Sequence, residues 1–220
     1  MAVDSRWNCP NRRGKAVCQT EGFDPTCIHC GVSVFDRSDG TVVIHVMNDI
    51  FDGQPNKCII VQQVNCKGVM GAGLAKAIRN RYPQVFEHYH AEYELGLLNL
   101  GYTSYIEVEQ DKFVANICGQ DGYGRGKQHT NYEALRKGLE DVYNMAHALD
   151  TDVVIPYRLG CGFGGGDWEG VVLPMIEEVF KGDLVAFIFQ GGDEEYEENE
   201  TKGRNRNIGS RPEQTEEEDF

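Results

Sequence analysis

Between residues 41 and 190 the chain alternates short apolar runs with stretches of helical period. TVVIHVM (41–47) and CIIVQQVN (58–65) are β-branched runs of the kind that form buried strands. GLAKAIRNRYPQVFEHYHAEYELG (73–96) reads as a helical stretch interrupted at Pro83, with Leu74, Ala75 and Ile78 on one face. YTSYIEVE (102–109) and KFVANIC (112–118) are two strand candidates around a turn at Gln110–Asp111. HTNYEALRKGLEDVYNMAHAL (129–149) predicts a helix with a capping box, Thr130 as N-cap and Glu133 three residues later. DVVIPYRLG (152–160) is another buried strand, WEGVVLPMIEEVF (168–180) a helix, and LVAFIFQ (184–190) a last strand. Strands alternating with helices predict an α/β domain with helices on both sides of a mixed sheet. No repeat of solenoid period is present.

The flanks differ in composition. Residues 1–40 are rich in Cys, Arg, Asp and Gly, with little apolar periodicity. Cys9, Cys18, Cys27 and Cys30 end in CIHCG, a knuckle-like pair, and four thiolates in a zone poor in apolar residues suggest one structural Zn²⁺. His29 lies inside that knuckle and is a substitute ligand; the alternative is four unrelated reduced cysteines in a flexible arm. With Arg6, Arg12, Arg13 and Lys15, such a module is a candidate contact for nucleic acid or a protein partner. Residues 191–220 are charged and nearly free of large aliphatics, so they are expected to be a disordered acidic tail. The reading therefore divides the chain into a Cys-rich zinc module (1–40), an α/β domain (41–190) and the tail (191–220).

The formal charge of −14 argues against a protein whose main task is sequence-independent grip on nucleic acid. Half of that charge comes from the tail. No apolar run is long enough for a membrane span, and the N-terminus lacks the apolar core of a signal peptide, so a cytoplasmic protein with reduced cysteines is expected.

Two glycine clusters carry the candidate chemistry. VNCKGVMGAGLAKAI (64–78) places Gly68, Gly71 and Gly73 between a strand and a helix, where backbone N–H groups and the helix dipole favour an anion. It is not a Walker A loop, because no Gly-Lys-Ser/Thr follows, nor the dinucleotide fingerprint, whose spacing it reverses. VVIPYRLGCGFGGGDWEGV (153–171) repeats the arrangement with Gly160, Gly162, Gly164, Gly165 and Gly166. Two such loops at one end of a sheet suit two linked phosphates held by backbone amides, with Lys67, Lys127 and Arg158 the nearby cations. No organic cofactor is implied beyond that ligand.

The order strand–NDIF–strand–VNCKGVMGAGLAKAI–helix, then strand–RLGCGFGGGDW–helix, resembles the macrodomain, a module that binds ADP-ribose. The resemblance spans about residues 41–190 and implies a three-layer α/β/α fold around a mixed sheet. The short first loop and the GCG turn are similar to the branch with ADP-ribose-1''-phosphate phosphatases and terminal ADP-ribose protein glycohydrolases. By that resemblance Asp49, with Ile50, faces the adenine, and Asn65 lies beside the distal ribose. Gly71, Ala72, Gly73 and Leu74 form one phosphate loop; Gly160, Cys161, Gly162, Phe163 and Gly164 form the other.

The chain also departs from that branch. Its glycohydrolases carry a catalytic lysine near the positions of Gly119 and Gln120, and an acidic residue where this chain has Gly164. Lys127 is the lysine in the same loop. The residues left for hydrolysis at the ribose 1'' position are Asn65, Gln120, Asp121, His129 and Asp167, the last also a natural N-cap for the helix at Trp168. Three functional readings follow: a hydrolase of a 1''-linked group, a non-catalytic ADP-ribose reader whose zinc module supplies the partner, and an α/β domain for another nucleotide.

Overall fold

The computed structural model describes residues 32–36, 42–46, 49–52, 54–124, 126–180 and 185–189. Cys9, Cys18, Cys27 and Cys30 and the tail 191–220 lie outside the described residues. One sheet holds seven strands: β1 (Val32–Asp36), β2 (Val42–Val46), β3 (Cys58–Asn65), β4 (Thr103–Glu109), β5 (Lys112–Gln120), β6 (Asp152–Pro156) and β7 (Val185–Phe189). Their order is β1-β2-β7-β6-β3-β5-β4. The five inner strands run parallel, and the two edges, β1 on β2 and β4 on β5, are antiparallel. The edge strand β1 falls inside the stretch read as the Cys-rich zone.

Helices α1 (Gly73–Arg81), α2 (Pro83–Glu94), α3 (Tyr132–Leu149) and α4 (Leu173–Val179) cover both faces. On β3, Ile59 and Val61 join Leu135, Leu139 and Val142 of α3 and Met175 and Ile176 of α4 in one core. Cys58, Ile60 and Val64 point the other way, to Ile78 of α1 and Val85 and Tyr89 of α2. A strand buried on both sides must be apolar at nearly every position, which is why CIIVQQVN shows no alternation. The expected three-layer α/β/α architecture is the one observed.

Three local expectations are corrected. The N-cap of α3 is Asn131, whose side chain accepts from the Ala134 N–H at 2.9 Å; Thr130 instead bridges to the end of β5 with its hydroxyl turned inward. The chain between β6 and Gly160 is a turn, with Leu159 N–H donating back to the Pro156 carbonyl. The helix expected over 168–180 opens with a single π turn, Trp168–Val172, before α4. Pro174 has no N–H to give an α-helical bond at that point, and the wider register absorbs the defect.

Two stability predictions follow from this packing. A Cβ on Gly138 of α3 would collide with the Ile117 side chain of β5. Gly138→Ala should therefore cost about 1–3 kcal/mol by overpacking, more than the helix-propensity gain of about 1 kcal/mol returns. Asn131→Ala should lose about 1 kcal/mol with its cap. Urea unfolding of each variant reads both values, and an unchanged midpoint for Asn131→Ala would place the cap elsewhere.

Candidate functional site

Because β3, β5 and β6 are parallel neighbours, their carboxyl ends lie on one edge of the sheet, where open α/β sheets bind ligands. The first glycine loop leaves β3 at Asn65 and enters α1. The second leaves β6 and enters the π turn. They meet: a Cβ on Gly73 would lie 3.8 Å from the Phe163 ring. The sequence thus brought together Gly71, Ala72, Gly73 and Leu74 with Phe163 at one edge. Ala72, at the N-cap of α1, has no side chain that can cap, so no side chain competes for the first-turn amides.

The second loop is built on inward-facing carbonyls. Gly164 C=O accepts from the N–H groups of His129 (2.8 Å) and Thr130 (2.9 Å). Gly160 C=O accepts from Gly166 N–H at 3.0 Å and from the Thr130 hydroxyl at 2.6 Å. Gly162 C=O accepts from Gly165 N–H. The amides of Gly162 and Gly164 find no backbone acceptor among the described residues. Amides left over in this way are the groups an anion would use.

Two glycines here are dictated by space. Gly160 has φ +72°, and a Cβ there would strike the Gln63 side chain. A Cβ on Gly164 would strike both the Thr130 hydroxyl and the Gly160 carbonyl. The side chain behind these constraints is Gln63, which the sequence reading did not single out. Its Nε2 donates to Gln120 Oε1 and Thr130 Oγ1, each at 2.8 Å. One amide on β3 therefore ties the end of β5, the start of α3 and the loop after β6. The only sequence signal for it was a polar pair, Gln62–Gln63, inside an otherwise apolar buried strand.

The candidate catalytic residues separate by what they already hold. Asn65, buried at the end of β3, donates from Nδ2 to the Val69 carbonyl at 2.7 Å. Its Oδ1 accepts from Lys67 N–H at 2.9 Å and from the Tyr89 hydroxyl at 3.1 Å. Its amide is the internal frame of the first loop. Gln120 donates to the Gly122 carbonyl and accepts from Gln63, so both ends of its amide are committed as well. Asp167 accepts from Gly170 N–H at 3.0 Å and caps the π turn. Asp49 Oδ1 likewise accepts from Phe51 N–H at 2.8 Å, fixing a turn in which Ile50 is buried.

Asp121 and His129 are arranged differently. The Asp121 carboxylate is 67% exposed and lies 3.8 Å from Nδ1 of a buried His129. That Nδ1 has no hydrogen-bond partner among the described residues, and Gly122 leaves room before it, since a Cβ there would lie 3.2 Å away. The backbone of Lys127 and Gln128 rests against Gly165 of the second glycine loop. Burial disfavours the thiolate form of the site's two cysteines. Burial pushes the Cys161 thiol up to about 11, and burial likewise raises Cys66, so both are neutral thiols near pH 7. Among the described residues no cluster of three His, Cys, Asp or Glu is placed to hold a metal ion.

The Macro domain family matches residues 61–174, a span from β3 to α4 that contains both glycine loops. The chain is 30% identical over 112 residues to a DNA ADP-ribosyl glycohydrolase of Mycobacterium tuberculosis, covering 51% of this chain and 32% of that protein. It thus spans about a third of the length of that curated relative. It is 27% identical over 149 residues to the ADP-ribose glycohydrolase OARD1 of Bos taurus, covering 66% of this chain and 89% of that one. Among solved structures, the macrodomain of M. tuberculosis DarG superposes with a TM-score of 0.57 at 25% identity, covering 70% of this chain and all of the other. With the fold, the paired loops and more than half of its length matched, the chain belongs to the Macro domain family.

Proposed function

We propose that this protein binds ADP-ribose across its two glycine loops and hydrolyses a bond at C1'' of the distal ribose. The observation that carries the reading is the convergence of the two loops at one sheet edge, Gly73 against Phe163, with the amides of Gly162 and Gly164 left without a backbone acceptor among the described residues. The diphosphate would lie between the first turn of α1 and Gly162–Gly164. Asp49, held by its own turn, would meet the adenine amino group. The names of the relatives, both glycohydrolases of ADP-ribosyl groups, support the hydrolytic half.

The chemistry then falls to Asp121 and His129. Hydrolysis needs a water in line with C1'' and a group to take its proton. Asp121 is the exposed carboxylate of the loop, and His129 Nδ1 lies 3.8 Å from it on the buried side. Asn65 and Gln120 hold the loops in shape, and Asp167 starts the helix. A second reading, a reader that binds without turnover, is favoured by that commitment of the two amides and by glycine and glutamine at 119–120 in place of lysine. On either reading Cys9, Cys18, Cys27 and Cys30 are proposed to hold one structural zinc ion, countable by metal analysis of the purified chain.

ADP-ribose titration by calorimetry should give saturable binding by the unaltered protein. Gly160→Val should weaken it at least about tenfold, a loss of about 1.4 kcal/mol or more, because the loop must open to clear Gln63. Retained affinity in that variant would remove the second loop from the site. Product release is measured on ADP-ribose-1''-phosphate, an ADP-ribosylated peptide and an ADP-ribosylated oligonucleotide. Asp121→Asn should lower turnover by about 10²–10⁴-fold with binding little changed. Turnover of none of the three by the unaltered protein would leave the reader.

A further inference from the structure

Apolar exposure is concentrated in one place. Of the six large hydrophobic side chains exposed among the described residues, four (Tyr93, Leu95, Leu97 and Leu100) lie at the end of α2 and in the connection to β4. Single exposed leucines need no explanation, but a run of this kind marks a contact surface. Leu97 and Leu100 line a cleft of about 560 Å³, together with Thr103 of β4 and Lys137, Glu140 and Asp141 of α3. Glu133, Lys137, Glu140 and Asp141 recur at helical spacing, so this face of α3 sets three carboxylates against one ammonium. The Tyr105 hydroxyl donates to Asp141 at 2.9 Å and ties that carboxylate to β4. β4 is the last strand in the order, and no strand among the described residues pairs with its outer edge. An acidic, partly apolar cleft beside an open strand edge suits an extended segment that carries basic and apolar side chains.

The chain itself supplies such a segment. SRWNCPNRRGKAVCQT (5–20) holds Arg6, Arg12, Arg13 and Lys15 with no Asp or Glu, and Trp7 lies among them. It precedes β1, and β1 starts at the edge of the sheet where the cleft is. Val32 pairs with Val46, and Val46 with Phe189, at the carboxyl ends of β2 and β7. Thr103 of the cleft pairs with Ile117, close to the carboxyl end of β5. Six steps between neighbouring strands separate β1 from β4, about 29 Å at about 4.8 Å each. The chain from Thr20 to Val32 spans up to about 40 Å when extended, so the cleft is within reach. The tail 191–220 also follows a strand that ends at this edge, but its 11 Asp and Glu against 4 Lys and Arg would be repelled by the cleft. We propose that residues 5–20 dock as an extended segment in the cleft between the α2–β4 connection and α3, with Trp7 against Leu97 and Leu100 and the basic side chains facing Glu140 and Asp141. The contact is made within one chain and is independent of what the glycine loops bind. The direct way from β1 to the cleft passes the ends of β7, β6 and β3, so the docked segment borders the edge at which both glycine loops begin.

The test uses the full chain and its two tryptophans, Trp7 and the buried Trp168. Acrylamide quenching should find both shielded in the unaltered protein. Leu100→Arg, which sets a cation at the cleft, should expose one tryptophan and shift the emission to the red. Glu140→Lys should do the same to a lesser degree, whereas Leu100→Ile should leave both shielded. Trp7→Phe in the Leu100→Arg background should remove the exposed component. Leu100 is 41% exposed, so circular dichroism of Leu100→Arg should match that of the unaltered chain. A freely quenched Trp7 in the unaltered protein would overturn the proposal. So would a Trp7 that stays shielded in both Leu100→Arg and Glu140→Lys, since its contact then lies elsewhere. Shielding lost on dilution, with a dimer seen by sedimentation, would overturn it in favour of the same segment from a second copy.

Discussion

The site depends on one side chain amide. Gln63 projects from the last turn of pleat in β3 and donates both to Gln120 on β5 and to Thr130 ahead of α3, while Thr130 passes its own proton to the Gly160 carbonyl after β6. Each such bond is worth only about 0.5–1.5 kcal/mol net. Their value is positional. Three parallel strands deliver three loops to one edge, and without a common tie each loop would choose its own conformation. The tie also explains the glycines: Gly119 and Gly160 are glycine because any Cβ there would meet Gln63. Glycine richness in this protein is thus as much a demand of the joint beneath the loops as of a phosphate above them.

The same arrangement explains how an acidic chain can present an anion site. The carbonyls of Gly160 and Gly164 are tied to Gly166, Thr130 and His129, while the amides of Gly162 and Gly164 are left without a backbone acceptor among the described residues. Field from oriented dipoles needs no Lys or Arg, and it is insensitive to the net charge carried by remote carboxylates. The first loop reaches the same end by another route. Asn65 saturates its inner polar groups, Tyr89 seals it from the α2 side, and the start of α1 is left without a side-chain cap.

Much of this was legible in the sequence. The β-branched runs located β2, β3, β5, β6 and β7 to within a few residues, because strands buried on both faces have no choice but to be apolar. Pro83 marked the break between α1 and α2, and Asp167 was readable as a cap. What the sequence concealed were contacts between residues distant along the chain. Thr130 followed three residues later by Glu133 satisfies a local capping pattern, yet its hydroxyl is claimed by Gly160, and Asn131 takes the cap. Asn65 and Gln120 look like free polar groups at strand ends, and only the fold shows both amides spent. Gln63 was invisible for the same reason: its partners lie 57 and 67 residues away.

This spending of amides narrows where chemistry can reside. An amide held at both ends cannot swing toward a substrate without breaking those bonds, and in a buried position each break costs about 1–3 kcal/mol. Asn65 and Gln120 are in that position. Asp121 is not: its carboxylate faces solvent, and the nearby His129 Nδ1 is buried with no hydrogen-bond partner among the described residues. Lys127 and Gln128, downstream of Asp121, lean on Gly165, so the second glycine loop and the stretch before His129 pack against each other.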